Sequence, residues 1–248
     1  MSEPTTHQAH LCVLRTRVGL FVSMDNCELK PALSFEQQLD RLENFHHLTI
    51  GNKKVALRIL KTVNYYRLTA YGIGLTKKDN KEEYREGVTL KTLYDLYVFD
   101  SKLRNLILPE IESVEIYLRT HISYILGMTY GPIGYLCSDN FIDQPIRRLN
   151  TTVHSRTMYK LEGEIERQRD LPFVRHHIEN YDGKFPIWVA SELFSFGTLS
   201  SLYWIMKPND QRYVSNLFNV EPNRLYSWML ALLEIRNKCA HYCRLYNM

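Results

Sequence analysis

One tract constrains this chain more than any other. From about Leu90 to Leu126, apolar residues recur at helical spacing: Leu93, Leu96, Tyr97, Leu103, Leu106, Ile107, Ile111, Val114, Leu118, Ile122 and Ile125. Pro109 falls inside the tract, and its missing N–H predicts a kink or a restart there. Gly127 and the stretch "YGPIG" close it. With only 11 Gly and 9 Pro in 248 residues, the chain is neither a many-turned β-sandwich nor a disordered polymer. It shows no succession of alternating strands, no internal repeat and no low-complexity segment. The expected architecture is all-α, a bundle built on the long tract and a helix at the C-terminus.

The flanking segments fill in the organisation. Residues 1–33 have no sustained period and read as a poorly ordered arm. Ser34 and Gln37 have the spacing of a capping box. Phe35, Leu39, Leu42 and Phe45 follow at helical spacing, and Val55, Ile59, Leu60 and Val63 form a second stripe beyond Gly51. Residues 34–75 therefore read as a helical hairpin. The charged stretch "TKKDNKEEYREG" at 76–87 reads as a solvated loop, and residues 88–248 as the main helical domain. "FPIWVASELFSFGTLSSLYWIM" at 185–206 reads as two short apolar helices around Gly197. Pro222, after Glu221, marks the start of a helix able to run to the C-terminus.

Composition excludes several classes. A net charge of +4 permits an anionic partner without requiring one. Five scattered cysteines are not a disulfide framework and suit a reducing cytosol. No stretch reaches the roughly 18 apolar residues of a membrane span, and "VGLFVSM" at 18–24 is too short for one and lacks a signal-peptide cleavage site. The expected setting is cytoplasmic, away from membranes. Between 146 and 177, seven basic residues face four acidic ones, which reads as a solvated helix face or as a flank that contacts phosphates. No Gly-rich phosphate loop, Ser-His-Asp set or paired-carboxylate motif is present, so no cofactor is expected. Cys239, His241 and Cys243 lack the distant second pair that would complete a four-ligand metal site, so no metal is expected either.

Chemistry concentrates at the end of the chain, in "EIRNKCAHYCRLYN" at 234–247. On an ideal helix Glu234, Asn237, His241 and Arg244 share about one quadrant, opposite Leu225, Met229, Leu232 and Cys239. Asn237 lies one turn before His241 and can orient its imidazole. Arg236 falls near the apolar sector. It is either a buried, paired arginine, or a sign of helix distortion near 238–240, or a long side chain emerging at the bundle edge. Glu112, Glu115 and Arg119 form an i, i+3, i+7 stripe on the long tract and offer carboxylate partners. A histidine exchanges protons near neutral pH, and an arginine holds a phosphate by two hydrogen bonds. Such a set suits metal-free RNA cleavage, in which the 2′-hydroxyl attacks the adjacent phosphorus. One arginine and one histidine make a thin site, and two copies across a two-fold axis would make a fuller one.

"RNKCAH" at 236–241 resembles the R-N-x-x-A-H form of the R-x4-6-H motif of HEPN domains. The chain over roughly 31–247 is similar to the Abi-like (AbiD/AbiF) branch of that superfamily, from bacterial abortive-infection phage defence. "VNYYRLTAYG", "LYDLYVFDSKLRNLILPEIESVEIYLRTHISYILG", "PIWVASELFSFGTLSSLY" and "LLEIRNKCAHYCRLYN" carry the likeness, in order and spacing. The resemblance implies a HEPN-type helical bundle, a homodimer and a metal-independent endoribonuclease. By it Arg236, Asn237 and His241 are catalytic and Glu115 and Arg119 supporting, while Arg244, in the same polar stripe, is an RNA-binding candidate. The implied partners are RNA, a second copy of the chain, and a neutralising antitoxin protein or non-coding RNA. Family members continue past the motif, whereas this chain ends at Met248. A reading of another class is a non-catalytic RNA-binding or regulatory module, since a fold alone does not specify chemistry.

Overall fold

The computed structural model describes residues 31–147 and 149–246. Of the N-terminal arm expected at 1–33, residues 1–30 lie outside the described part. The long tract is one helix. In chain order, the α-helices are α1 (Phe35–Asp40), α2 (Lys53–Thr62), α3 (Tyr65–Thr69), α4 (Leu90–Tyr130), α5 (Val153–Arg167), α6 (Pro172–Asn180), α7 (Ile187–Leu193), α8 (Phe196–Ile205), α9 (Pro208–Asn216) and α10 (Pro222–Ala240). Among the described residues the only strands are Pro145–Ile146 and Thr151–Thr152, an antiparallel pair. The protein is all-α.

α4 contains 41 residues, about 60 Å of helix. Thr89 and Thr92 cap its start reciprocally. Helical structure runs through Pro109 without the expected restart. The ring is exposed, and its own carbonyl accepts a bond from Ser113 Oγ at 3.1 Å. The helix serves two cores. Its first turns put Leu90 and Leu93 among the hairpin residues Leu39, Leu42, Leu60 and Leu68. Its second half places Ile111, Leu118, Ile122 and Leu126 against α7, α8, α9 and α10. At each of these buried positions the apolar area withdrawn from water stabilises by about 2 kcal/mol.

Several sequence expectations are corrected. Ser34 does form its capping box with Gln37, but α1 continues as a wide turn over Arg41–Phe45, and the apolar stripe only half faces inward. Leu39 and Leu42 are buried, whereas Phe35, Phe45 and Val55 are exposed. Lys61 lies over the Phe35 ring and Arg41 over the Phe45 ring. Leu106, counted in the core phase of the long tract, is 69 % exposed. The loop at 76–87 is not wholly solvated, because Tyr84 turns inward onto Gly72 and is buried. The break between the two apolar helices falls at Phe194–Ser195, where Ser195 Oγ caps Thr198, and not at Gly197. In the basic stretch Arg167, Arg169 and Arg175 pair with Glu164, Glu166 and Asp170, which favours a solvated face.

Candidate active site

α10 begins as expected at Pro222 but ends at Ala240, before the motif is complete. His241 is the C-cap residue, and Tyr242 adopts a left-handed backbone with φ of 56°. The Tyr242 N–H donates to the Cys239 carbonyl at 3.2 Å and the Cys243 N–H to the Lys238 carbonyl at 2.9 Å. These two bonds make a Schellman cap with tyrosine where glycine is usual. The chain therefore leaves the helical path at the motif histidine. The shared quadrant expected for Glu234, Asn237, His241 and Arg244 does not extend to Arg244. Leu225, Met229 and Cys239 do face the core. Burial holds the Cys239 thiol above its ordinary pKa, which marks it as a core residue rather than a reactive thiolate.

Arg236 emerges at the edge of the bundle. Its side chain is 40 % exposed, and its Nε lies 3.9 Å from Glu115 Oε2. Of the three placements open to it, the structure adopts the third. Glu115 is well covered and is held at 2.8 Å by Arg119 Nη2, one turn further along α4. Arg119 is buried and also donates to the Ser191 carbonyl at the end of α7. A relay thus runs from the α7 backbone through Arg119 and Glu115 to the motif arginine. Glu112 stays exposed outside this relay. Arg236 Nη1 also donates to Asn237 Oδ1 at 3.4 Å, so the Asn237 amide attends the arginine. His241 is exposed, and its backbone N–H donates to the Asn237 carbonyl at 3.0 Å. The structure brings Arg236, Asn237, Glu115 and Arg119 into contact and sets His241 at the helix end beside them in sequence.

Arg244 lies elsewhere. Half-buried, it donates to the Ala70 carbonyl just after α3. It belongs to a polar cluster that sequence reasoning missed. Asp100 is fully buried inside α4, ion-paired with Arg104 one turn on and bonded to Tyr71 Oη at 2.6 Å. Asp100 Oδ1 also accepts the backbone N–H groups of Leu245 at 3.0 Å and Tyr246 at 2.7 Å. Burial, reinforced by the bond to Asp100, raises the Tyr71 pKa above its ordinary value. The signal was present in the spacing. Leu93, Tyr97, Asp100, Arg104, Ile107 and Ile111 alternate by three and four, so the pair occupies the core phase of the helix.

A cleft of about 1380 Å³ opens along α3, lined by Tyr65, Tyr66, Lys77, Lys78 and Lys81 among others, and contains none of the motif residues. Arg41 and His46 also line it. Among the described residues, no three His, Cys, Asp or Glu side chains are grouped to hold a metal ion. No described helix is long and apolar enough to cross a membrane. Neither the curated proteins nor the solved structures contain a match to this chain. One family model does match, described as Abi-like protein, over residues 58–247. That span takes in α3, the whole of α4 with both arginine clusters, and the helix end that carries Arg236, Asn237 and His241, and by this match the chain belongs to the Abi-like protein family.

Proposed function

We propose that the protein is a metal-independent endoribonuclease of HEPN type that acts in abortive-infection defence against phage. The observation that carries this reading is the end of α10. There Arg236 is braced by Glu115 and Arg119 and still exposes its guanidinium, next to the exposed His241. An arginine beside a carboxylate but open to solvent is disposed to grip a phosphate with its N–H groups. The imidazole takes the proton of the 2′-hydroxyl as that oxygen attacks the neighbouring phosphorus. The 2′-O–P bond forms, the bond to the 5′-oxygen breaks, and a protonated imidazole returns a proton to that oxygen. A cyclic phosphate and a 5′-hydroxyl result. Arg236 balances the charge gathering on the phosphoryl oxygens.

One histidine cannot readily serve both proton transfers, so the site is composite and a second copy of the chain supplies the other. Trp228 and Leu230, 45 % and 43 % exposed on α10, are apolar surface for that copy to cover. A neutralising partner, either a protein or a non-coding RNA, would hold the growth-arresting activity in check.

The test is cleavage of single-stranded RNA by purified protein in EDTA, beside His241→Ala. Wild type should cleave and leave cyclic phosphate ends, and His241→Ala should not, with an unchanged melting temperature. Wild-type rates in His241→Ala would remove the catalytic assignment and favour a non-catalytic RNA-binding module.

A further inference from the structure

Beyond the motif, every residue from Tyr242 to Tyr246 is tied to the hairpin or to the first half of α4. Arg67 Nη1 on α3 donates to the Tyr242 carbonyl at 2.5 Å. Arg104 Nη1 donates to the Cys243 carbonyl at 3.2 Å. Arg244 donates to Ala70, and the amides of Leu245 and Tyr246 donate to Asp100. Tyr246 adds a ring contact with Phe99 at 5.5 Å. An irregular five-residue segment immediately after a histidine is thereby held by four side chains from elements far away in sequence.

The energetics point to a purpose beyond holding a chain end. A fully buried aspartate is costly unless its lone pairs are filled, and here about four donors fill them: Tyr71, Arg104 and two backbone amides. An apolar pair in the same helix phase would give α4 comparable stability without that desolvation. What an apolar pair cannot do is bind backbone. The Asp100–Arg104 pair reads the tail's amides and a carbonyl at fixed positions, which sets where the chain must go after Ala240. Tyr242 then accepts a left-handed backbone, a conformation costing a non-glycine residue roughly 1 kcal/mol. Arg67 grips the carbonyl of that same residue.

We propose that Asp100, Arg104 and Arg67 are positioning residues for His241, and that the N-terminal hairpin is present to hold the terminal motif in register. The inference rests on the nuclease reading for its chemical consequence, but not for its geometry. The main core places Arg236, on the packed helix α10, beside Glu115, and the hairpin fixes the segment that leaves His241. The distance between the two catalytic groups is therefore set by how the hairpin and the tail engage. A displacement of about 1 Å in a reacting group lowers a rate by as much as a hundredfold.

The experiment uses the full chain, a fluorescein-labelled single-stranded RNA and four variants. Arg67→Ala is the informative one, because Arg67 is exposed and its loss leaves both cores untouched. It should lower kcat roughly tenfold or more, leave KM and the melting temperature unchanged, and be partly rescued by Arg67→Lys. Asp100→Asn keeps the shape and should lower kcat further. The second readout is the imidazole carbon–proton NMR spectrum, with His241 assigned by its absence in His241→Ala. In Arg67→Ala and Asp100→Asn the His241 signal should shift or broaden while the other histidines stay in place. That result supports the clamp even if wild type cleaves no RNA, in which case the nuclease reading alone fails. If wild type cleaves, and Arg67→Ala raises KM with kcat and the His241 signal unchanged, Arg67 is an RNA contact and the proposal is overturned. An unchanged kcat and His241 signal in both variants overturns it as well.

Discussion

Replacing Arg236 by alanine should abolish RNA cleavage and leave the fold almost untouched, whereas replacing either member of the pair behind it should do the opposite to stability. Helical geometry near the apolar sector places Arg236 among the structural arginines, whose loss strands a buried carboxylate. The structure separates the two roles. At 3.9 Å, with the arginine 40 % exposed, the Arg236–Glu115 attraction is about 1 kcal/mol in a water-like dielectric. Ordering two long side chains subtracts from that, so the net is about 0.2–1 kcal/mol. Arg119 and Glu115 are only 10 % and 14 % exposed and 2.8 Å apart, and breaking such a pair costs about 3 kcal/mol. Urea unfolding followed by far-UV circular dichroism should therefore give a small shift of midpoint for Arg236→Ala and a large one for Arg119→Ala and Glu115→Ala. In a double-mutant cycle, Arg236→Ala and Glu115→Ala should couple by no more than about 1 kcal/mol. Loss of about 3 kcal/mol in Arg236→Ala alone would show that the guanidinium is a structural group after all, and would refute the division between a gripping arginine and a bracing one.

Gly72→Ala should destabilise by about 1–3 kcal/mol, since the added Cβ would meet Tyr84 Cε1 at 2.4 Å in a packed site; thermal melting checks this, and an unchanged Tm would mean that Tyr84 swings out freely. Stability should fall steeply in alkali: burial pushes the phenols of Tyr84, Tyr130 and Tyr135 up to about 12, so the folded state keeps protons that the unfolded state releases from about pH 10. The contribution is complete below that value and is lost as pH rises toward 12, which urea midpoints measured across this window will follow; a midpoint constant through it contradicts the burial of these rings. The proposed composite site requires a homodimer at micromolar concentration by light scattering, and a strict monomer that still cleaves RNA would exclude it.

Legibility from sequence followed how a residue's surroundings are determined. The capping box at Ser34, the helix start at Pro222 and the start of α4 at Leu90 were readable because each depends on neighbours a turn away, whereas α4 runs past Gly127, expected to close it, to Tyr130. The α4 stripe predicted Leu93, Ile111, Leu118 and Ile122 inside correctly, because a helix in a bundle repeats its environment every three to four residues. It failed at Leu106, where periodicity alone does not say how wide the covered face is, and a stripe drawn from apolar residues alone passes over the buried Asp100 and Arg104. Spacing places that pair on the core face, but the tail groups that satisfy it come from about 140 residues away, which no local pattern contains.

The end of α10 shows why the candidate site was half legible. Arg236 and Asn237 stand on regular helix, so their placement follows from spacing once a carboxylate on α4 is supplied. His241 stands at the first residue where helical geometry stops applying, and Arg244 beyond the turn points to Ala70. Nothing in "HYCR" announces the stop: no glycine or proline follows, and tyrosine resists the left-handed conformation it adopts. The helix ends there because the bonds beyond it outweigh continuing: two cap bonds, Arg67 on the Tyr242 carbonyl, and the Asp100 carboxylate on two amides. The arginine of the R-x4-H spacing stands on regular helix and its histidine at the helix end. The arginine is held by the core that α10 packs into, and the histidine by the hairpin across the tail.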